Sequence, residues 1–257
     1  MSKRATHSRS SHTPRSSRTL RVAALFSLPI SRERDAERSR LERARSHALE
    51  LLGPLASSSS LDHASITLIH GASGSGKSTL LDALSRECVR GRCQVRRVEA
   101  SILGRARGTR RGAIVDLSPR PLATWLRILA SCGLAEAPML SRRASELSTG
   151  QAWRLSLAAA IASITQRASR SSHSARALPP RVLIIDELCA GLDDITARGL
   201  CRTLRQLARH GLIIFAATSS PDRLRRSLAP DREIELTPLG ESRPQPIAKV
   251  RKKGSNP

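Results

Sequence analysis

The spacing of apolar and polar positions divides the chain into short apolar runs of strand length and longer stretches with apolar residues at helical intervals. The runs at 66–69, 181–185 and 212–217 are continuous rather than alternating, as expected of strands covered on both faces. Weaker strand patterns lie at 94–98 and 113–117, and a closing strand is expected near 233–236. Helical spacing marks 77–89, 122–132 (opened by Pro121), 150–166, 196–210 and 221–228. Strands and helices therefore alternate. That order predicts an α/β fold, a mainly parallel sheet with helices on both faces and a short helical subdomain. Upstream, 31–52 is charged and periodic, with Leu41, Ala44, Ala48 and Leu51 on one face of a surface helix that the serine run 57–60 ends. Residues 1–18, 167–180 and 243–257 are polar or basic with no core face. The expected division is a tail at 1–45, one domain at 46–240 and a basic tail at 241–257.

Composition narrows the classes. No apolar run approaches the roughly 18 residues of a bilayer span, so a soluble chain is expected. The stretch at 22–30 is broken by Ser27 and Pro29 and lacks a small-residue cleavage site, which argues against a secretory signal and for a cytoplasmic location. Five cysteines, Cys88, Cys93, Cys132, Cys189 and Cys201, form no C-x-x-C pair and read as reduced thiols. The net charge of +23 suits an anionic partner such as nucleic acid. However, 39 of the 44 basic residues are Arg, a bias that coding preference alone could produce, and with no Tyr, two Phe and two Trp there is little to stack bases.

Chemistry concentrates in three places. Gly71, Ala72, Ser73, Gly74, Ser75, Gly76, Lys77, Ser78 and Thr79 satisfy G-x-x-x-x-G-K-[ST] between an expected strand and an expected helix. The glycines let successive N–H groups face a phosphate, the helix start adds its positive end, and the Lys77 ammonium reaches the β and γ oxygens. Ser78 is the expected Mg²⁺ ligand. The strand at 181–185 ends in Asp186 and Glu187, placed to hold the Mg²⁺ shell and to polarise an attacking water. Between these lie Leu147, Ser148, Thr149, Gly150 and Gln151, followed by Arg154 and a helix rich in Ala and Leu, where Ser148 is placed to cap the helix.

That third motif resembles the Leu-Ser-Gly-Gly-Gln signature of the ATP-binding-cassette (ABC) superfamily, and the resemblance covers roughly residues 64–236. It implies the P-loop NTPase fold, with ATP and Mg²⁺ as ligands. It also implies a head-to-tail dimer with a second such domain, most simply another copy, in which Ser148, Gly150 and Gln151 meet the ATP of the opposite domain. Ala190, Gly191, Leu192 and Asp193 resemble the family's loop between the two sites. The family's glutamine at the helical junction is missing, with Asp116 standing in as a metal-shell carboxylate. The switch histidine is replaced by Ser219 or Ser220, which cannot donate a charged hydrogen bond, so slow turnover is expected. No Tyr stands upstream to stack on adenine, and Phe26 is the one candidate for that contact. The segment from Asp186 to Arg198 looks most like a prokaryotic group of stand-alone cassette ATPases, some fused to acetyltransferase-like domains, for which the tails here leave no room.

Three functions remain open: a non-transport ATPase, the ATP-binding subunit of a membrane transporter, and an ATP-dependent switch that scarcely hydrolyses. The segment between Thr79 and Leu147 is shorter than transporter subunits usually carry, which favours the first over a membrane partner.

Overall fold

The computed structural model describes residues 30–56, 65–98, 112–165, 179–237 and 242–245. The expectations for 1–18, most of the stretch at 22–30, Phe26, the serines at 57–60, most of the insert at 167–180 and the last residues of the basic tail lie outside these. The chain forms two compact units; the first ends at Leu41 and the second, Glu42–Pro257, carries the sheet.

The elements are α1 (Ile30–Ala56), β1 (Ile66–Gly71), α2 (Lys77–Arg90), β2 (Gln94–Val98), α3 (Leu122–Ser131), α4 (Ala137–Leu140), α5 (Thr149–Ile164), β3 (Arg181–Ile185), α6 (Asp194–Arg209), β4 (Leu212–Thr218), α7 (Pro221–Leu228), β5 (Arg232–Leu236) and β6 (Ser242–Gln245). The six strands run in the order β2-β3-β4-β1-β5-β6, with β6 antiparallel to β5 and the others parallel. Thus α1 runs through the boundary drawn at residue 45, and the sheet continues past residue 240. Pro244 lies in the edge strand β6, where a missing N–H costs no ladder bond to a further strand.

Strand periodicity explains the layering. Ile66, Leu68, Leu183, Ile185, Leu212, Ile214 and Ala216 face one core, shared with α3, α5, α6 and α7. Their neighbours Ile69, Val182, Ile184, Ile213, Phe215 and Ala217 face the other, shared with Leu80, Leu81 and Leu84 of α2 and Ala48 of α1. Both faces are covered, so the strands read as unbroken apolar runs. On α1, Ala48 is fully buried and Leu51 is half-buried, whereas Leu41 is exposed.

Residues 113–117 do not form the expected strand. Residues Ile114–Asp116 make one 3₁₀ turn, closed by the Asp116 N–H on the Ala113 carbonyl, and only an isolated bridge joins Ala113 to Arg143. With one side chain of the run, Ile114, fully buried, local i to i+3 bonding satisfies the backbone more readily than a distant partner would. The Ile114 carbonyl accepts from Trp125 Nε1 at 3.0 Å, which fastens the turn to α3. Arg120 donates to the Ala162 carbonyl and to Thr165, closing the C-terminal end of α5, where a cation is favoured. Cys93 is half-buried and the other four cysteines are buried, all as free thiols. No helix among the described residues is long and apolar enough to cross a membrane.

Candidate functional site

The order β3-β4-β1 brings three sequence-distant segments to neighbouring strand ends on one edge of the sheet: Asp186-Glu187 after β3, Ser219-Ser220 after β4 and the glycine loop after β1. Ligands bind at such carboxyl edges of open α/β sheets because the strands end there and the backbone N–H groups of the following loops and helices are free.

The glycine loop is shaped by positive φ at Gly71 (150°), Gly74 (80°) and Gly76 (97°). A Cβ on Gly71 would stand 2.3 Å from the Leu236 carbonyl oxygen and 2.8 Å from Ser75 Oγ, so the loop threads between β5 and its own return. Ala72, Ser73 and Gly74 are exposed, while Ser75 is buried beneath them. Gly76 caps α2 with no side-chain hydrogen bond, leaving the first-turn amides of Lys77, Ser78 and Thr79 without partners inside the helix. Lys77 Nζ lies across the loop, donating to the carbonyls of Gly71 and Ala72 at 2.8 Å each. Directed amides and an ammonium on one exposed turn make an anion cradle.

Asp186 is largely buried and its Oδ1 accepts the Glu187 N–H at 3.1 Å. Its Oδ2 lies 3.7 Å from Nη2 of Arg97, which also pairs with Asp82 on α2. Arg97 was not legible as a neighbour of the site, since only the β2-β3 register, with Arg97 opposite Ile184, carries it there. Ser78 and Asp186 offer oxygen donors, the type a hard divalent cation takes. Glu187 is exposed with φ at 53°, and Cys189 (60°) and Gly191 (69°) repeat the left-handed conformation. The Leu188 N–H donates to the Ala217 carbonyl at 2.7 Å and Thr218 Oγ1 to the Leu188 carbonyl, so the Glu187 loop is laced to the end of β4. Ser219 and Ser220 follow at once, both exposed, with the Ser220 N–H donating to Thr218 Oγ1 at 3.2 Å.

Ser148 caps α5 as expected. Its hydroxyl accepts the Gln151 N–H at 3.3 Å and Gln151 Oε1 accepts the Ser148 N–H at 3.0 Å, a reciprocal capping box. Gly150 packs toward Leu192, where a Cβ would meet Cδ2 at 3.7 Å. No hydrogen bond among the described residues joins Ser148, Gly150 or Gln151 to the glycine loop of the same chain. Asp116 is not brought to the strand ends by any bond; its exposed carboxylate has no hydrogen bond or ion pair among the described residues. Asp193 caps α6, accepting the Thr196 N–H at 2.9 Å, and that bond holds its carboxyl below the usual range.

Residues 56–89 match the family model described as the P-loop containing region of AAA domain. No curated protein matches the sequence. Among solved structures, a dimeric post-hydrolysis state of the ATP-binding cassette MJ0796 bound to ADP and Pi is similar at 20% identity. That match covers 72% of this chain and 87% of the other, with a TM-score of 0.50. cbiO1 from Clostridium perfringens, part of the ABC transporter complex cbiONQ, aligns at 18% identity over 68% of this chain and 74% of its own, with a TM-score of 0.44. The sheet order, the glycine loop behind β1 and the likeness to the MJ0796 cassette agree: the chain has the P-loop fold of an ATP-binding cassette.

Proposed function

We propose that this chain is an ABC-type ATPase that binds Mg-ATP at residues 71–79 and hydrolyses it in a head-to-tail dimer with a second copy, in a non-transport, cytoplasmic role. The observation that carries the reading is the convergence of an anion cradle, a carboxylate pair and a hydroxyl pair on three consecutive strand ends. Lys77 and the first-turn amides of α2 hold the phosphate chain. Ser78 and Asp186 are the oxygen donors for Mg²⁺, which supplies charge neutralisation on the phosphates. Asp116 joins them only if the helical region turns toward the strand ends. Glu187, exposed and held by the laced loop, orients the attacking water and takes its proton. Ser148, Gly150 and Gln151 of one copy close over the γ-phosphate held by the other, with the open amides of α5 facing the anion. Ser219 or Ser220 occupies the switch position with a neutral hydroxyl, which lowers the stabilisation of developing charge and slows turnover.

Phosphate release and dimerisation test this directly. Wild type is expected to release phosphate slowly from Mg-ATP. Glu187→Gln should stop release and hold an ATP-bound dimer on gel filtration, and Lys77→Ala should weaken nucleotide uptake on the order of tenfold or more. A chain that stays monomeric under saturating ATP and releases no phosphate overturns the reading. The neutral switch position favours a second reading, an ATP-closed switch; a wild-type dimer that persists with phosphate release at background is its signature.

A further inference from the structure

A groove of about 940 Å³ runs between α6 and α7 on the second compact unit, and its walls are basic. Six arginines line it, namely Arg198, Arg202, Arg205, Arg209, Arg223 and Arg226, against two aspartates, Asp194 and Asp222. The first four recur at intervals of four, three and four residues along α6, which places them in one stripe about 16 Å long at roughly 1.5 Å rise per residue. The groove's few acids are already engaged. Asp222 pairs with Arg225, and Asp194 is shared by Arg223 and Arg198. Arg205 is clamped to Asp231 by bonds of 2.6 and 2.9 Å. Arg202, Arg209 and Arg226 are exposed and have no acidic partner among the described residues.

A net positive charge of the whole chain says nothing about place, and an ordinary solvated helix face intersperses both signs. Here the acids sit only in the first turns of α6 and α7, and the unpaired arginines converge from two helices on one concavity. Concavity disfavours a flat lipid surface and fits a strand. A rigid guanidinium fork matches phosphate oxygens two at a time, and a regular stripe of forks matches a regularly charged chain. Trp125, Trp153 and Phe215 are buried, so no Trp, Tyr or Phe among the described residues is left to stack on bases.

We propose that the groove between α6 and α7 is a binding site for the sugar-phosphate backbone of nucleic acid, contacted through Arg202, Arg209 and Arg226 without regard to base sequence. Arg202, Arg209 and Arg226 stand exposed without nucleotide, so binding at the groove is tested without ATP. The probe is a fluorescein-labelled 30-nucleotide single strand, titrated by anisotropy across a salt series with the full chain. The triple variant Arg202→Glu, Arg209→Glu, Arg226→Glu is expected to lose at least tenfold in affinity. The milder set Arg202→Gln, Arg209→Gln, Arg226→Gln, which keeps the helices' polarity should the reversal not fold, is expected to flatten the salt dependence by about two, at roughly 0.7 per lost phosphate contact. A control set with the same charge change elsewhere, Arg86→Glu, Arg127→Glu, Arg142→Glu, is expected to change affinity less than threefold. Equal losses in groove and control variants overturn the proposal in favour of diffuse attraction. So does groove-dependent binding to vesicles containing phosphatidylserine without groove-dependent binding to the strand.

Discussion

Gly71 stands at the end of β1 with φ at 150°, and any side chain there would meet the Leu236 carbonyl at 2.3 Å, backbone that cannot step aside. Gly71→Ala is therefore expected to cost about 1–3 kcal/mol of stability, as overpacking does, and to lower the melting temperature by several degrees. An unchanged melting temperature would show that β5 yields. Its neighbour His70 carries a pH dependence. Burial pushes the imidazole below its ordinary value, and the Arg225 guanidinium acts in the same direction against the raising influence of Glu233, Glu235 and Asp222. The folded chain thus binds this proton less readily than the unfolded chain, so the unfolded state takes up the proton first as pH falls below about 6.5. Stability from this group is present above that pH and is lost as pH drops toward the folded value. Thermal melts between pH 7.5 and 5.5 should fall more steeply for wild type than for His70→Asn; parallel slopes would remove His70 as the cause. Neither effect was readable from letters alone. The glycine pattern announced a tight turn, but its collision partner lies on β5, and nothing in the run 66–69 announced that His70 is buried beside Glu233.

Helix α5 illustrates an element whose local code and proposed function use the same residue. Ser148 and Gln151 form the capping box that starts it, so Ser148→Ala is expected to cost about 1 kcal/mol, read as a lowered unfolding midpoint. Ser148→Asp keeps a capping oxygen but brings a negative charge to the position that would face phosphate in the proposed dimer. It is expected to preserve stability yet abolish the ATP-held dimer in the Glu187→Gln background, measured by gel filtration. A dimer that survives Ser148→Asp would leave Ser148 with the cap alone. The signal for α5 was legible because capping is written within four residues. The opposite holds at 113–117, where a weak strand pattern suggested a strand and the chain makes a 3₁₀ turn under Trp125, because pairing depends on a partner that the local pattern does not contain. The short strand β6 was missed for the same reason, since a proline-bearing basic segment joins the sheet only through β5.

Across the molecule, the basic groove and the candidate nucleotide site share their supports. Helix α6 starts directly after the Glu187 loop, α7 starts directly after Ser219-Ser220, and Arg223 ties the two starts by donating to Asp194 and to the Leu192 carbonyl. Closure around ATP should therefore be felt at the groove. Adding Mg-ATP is expected to change affinity for the labelled strand several-fold in wild type and to leave Lys77→Ala unaffected; identical responses in the two would uncouple the sites. Legible in the sequence were the elements that local rules govern: the glycine turn, the capped helix α5, and apolar runs whose unbroken character required a sheet covered on both faces. These depend on backbone conformation, capping and periodicity, all short-range. Strand order, and with it the meeting of Lys77, Glu187 and Ser219 on one edge, was decided by tertiary structure, as were the approach of Arg97 to Asp186 and the gathering of arginines from α6 and α7 into one groove. Those arrangements depend on which strands pair and which helix faces pack, long-range choices set by burial of the whole core rather than by any single stretch of residues.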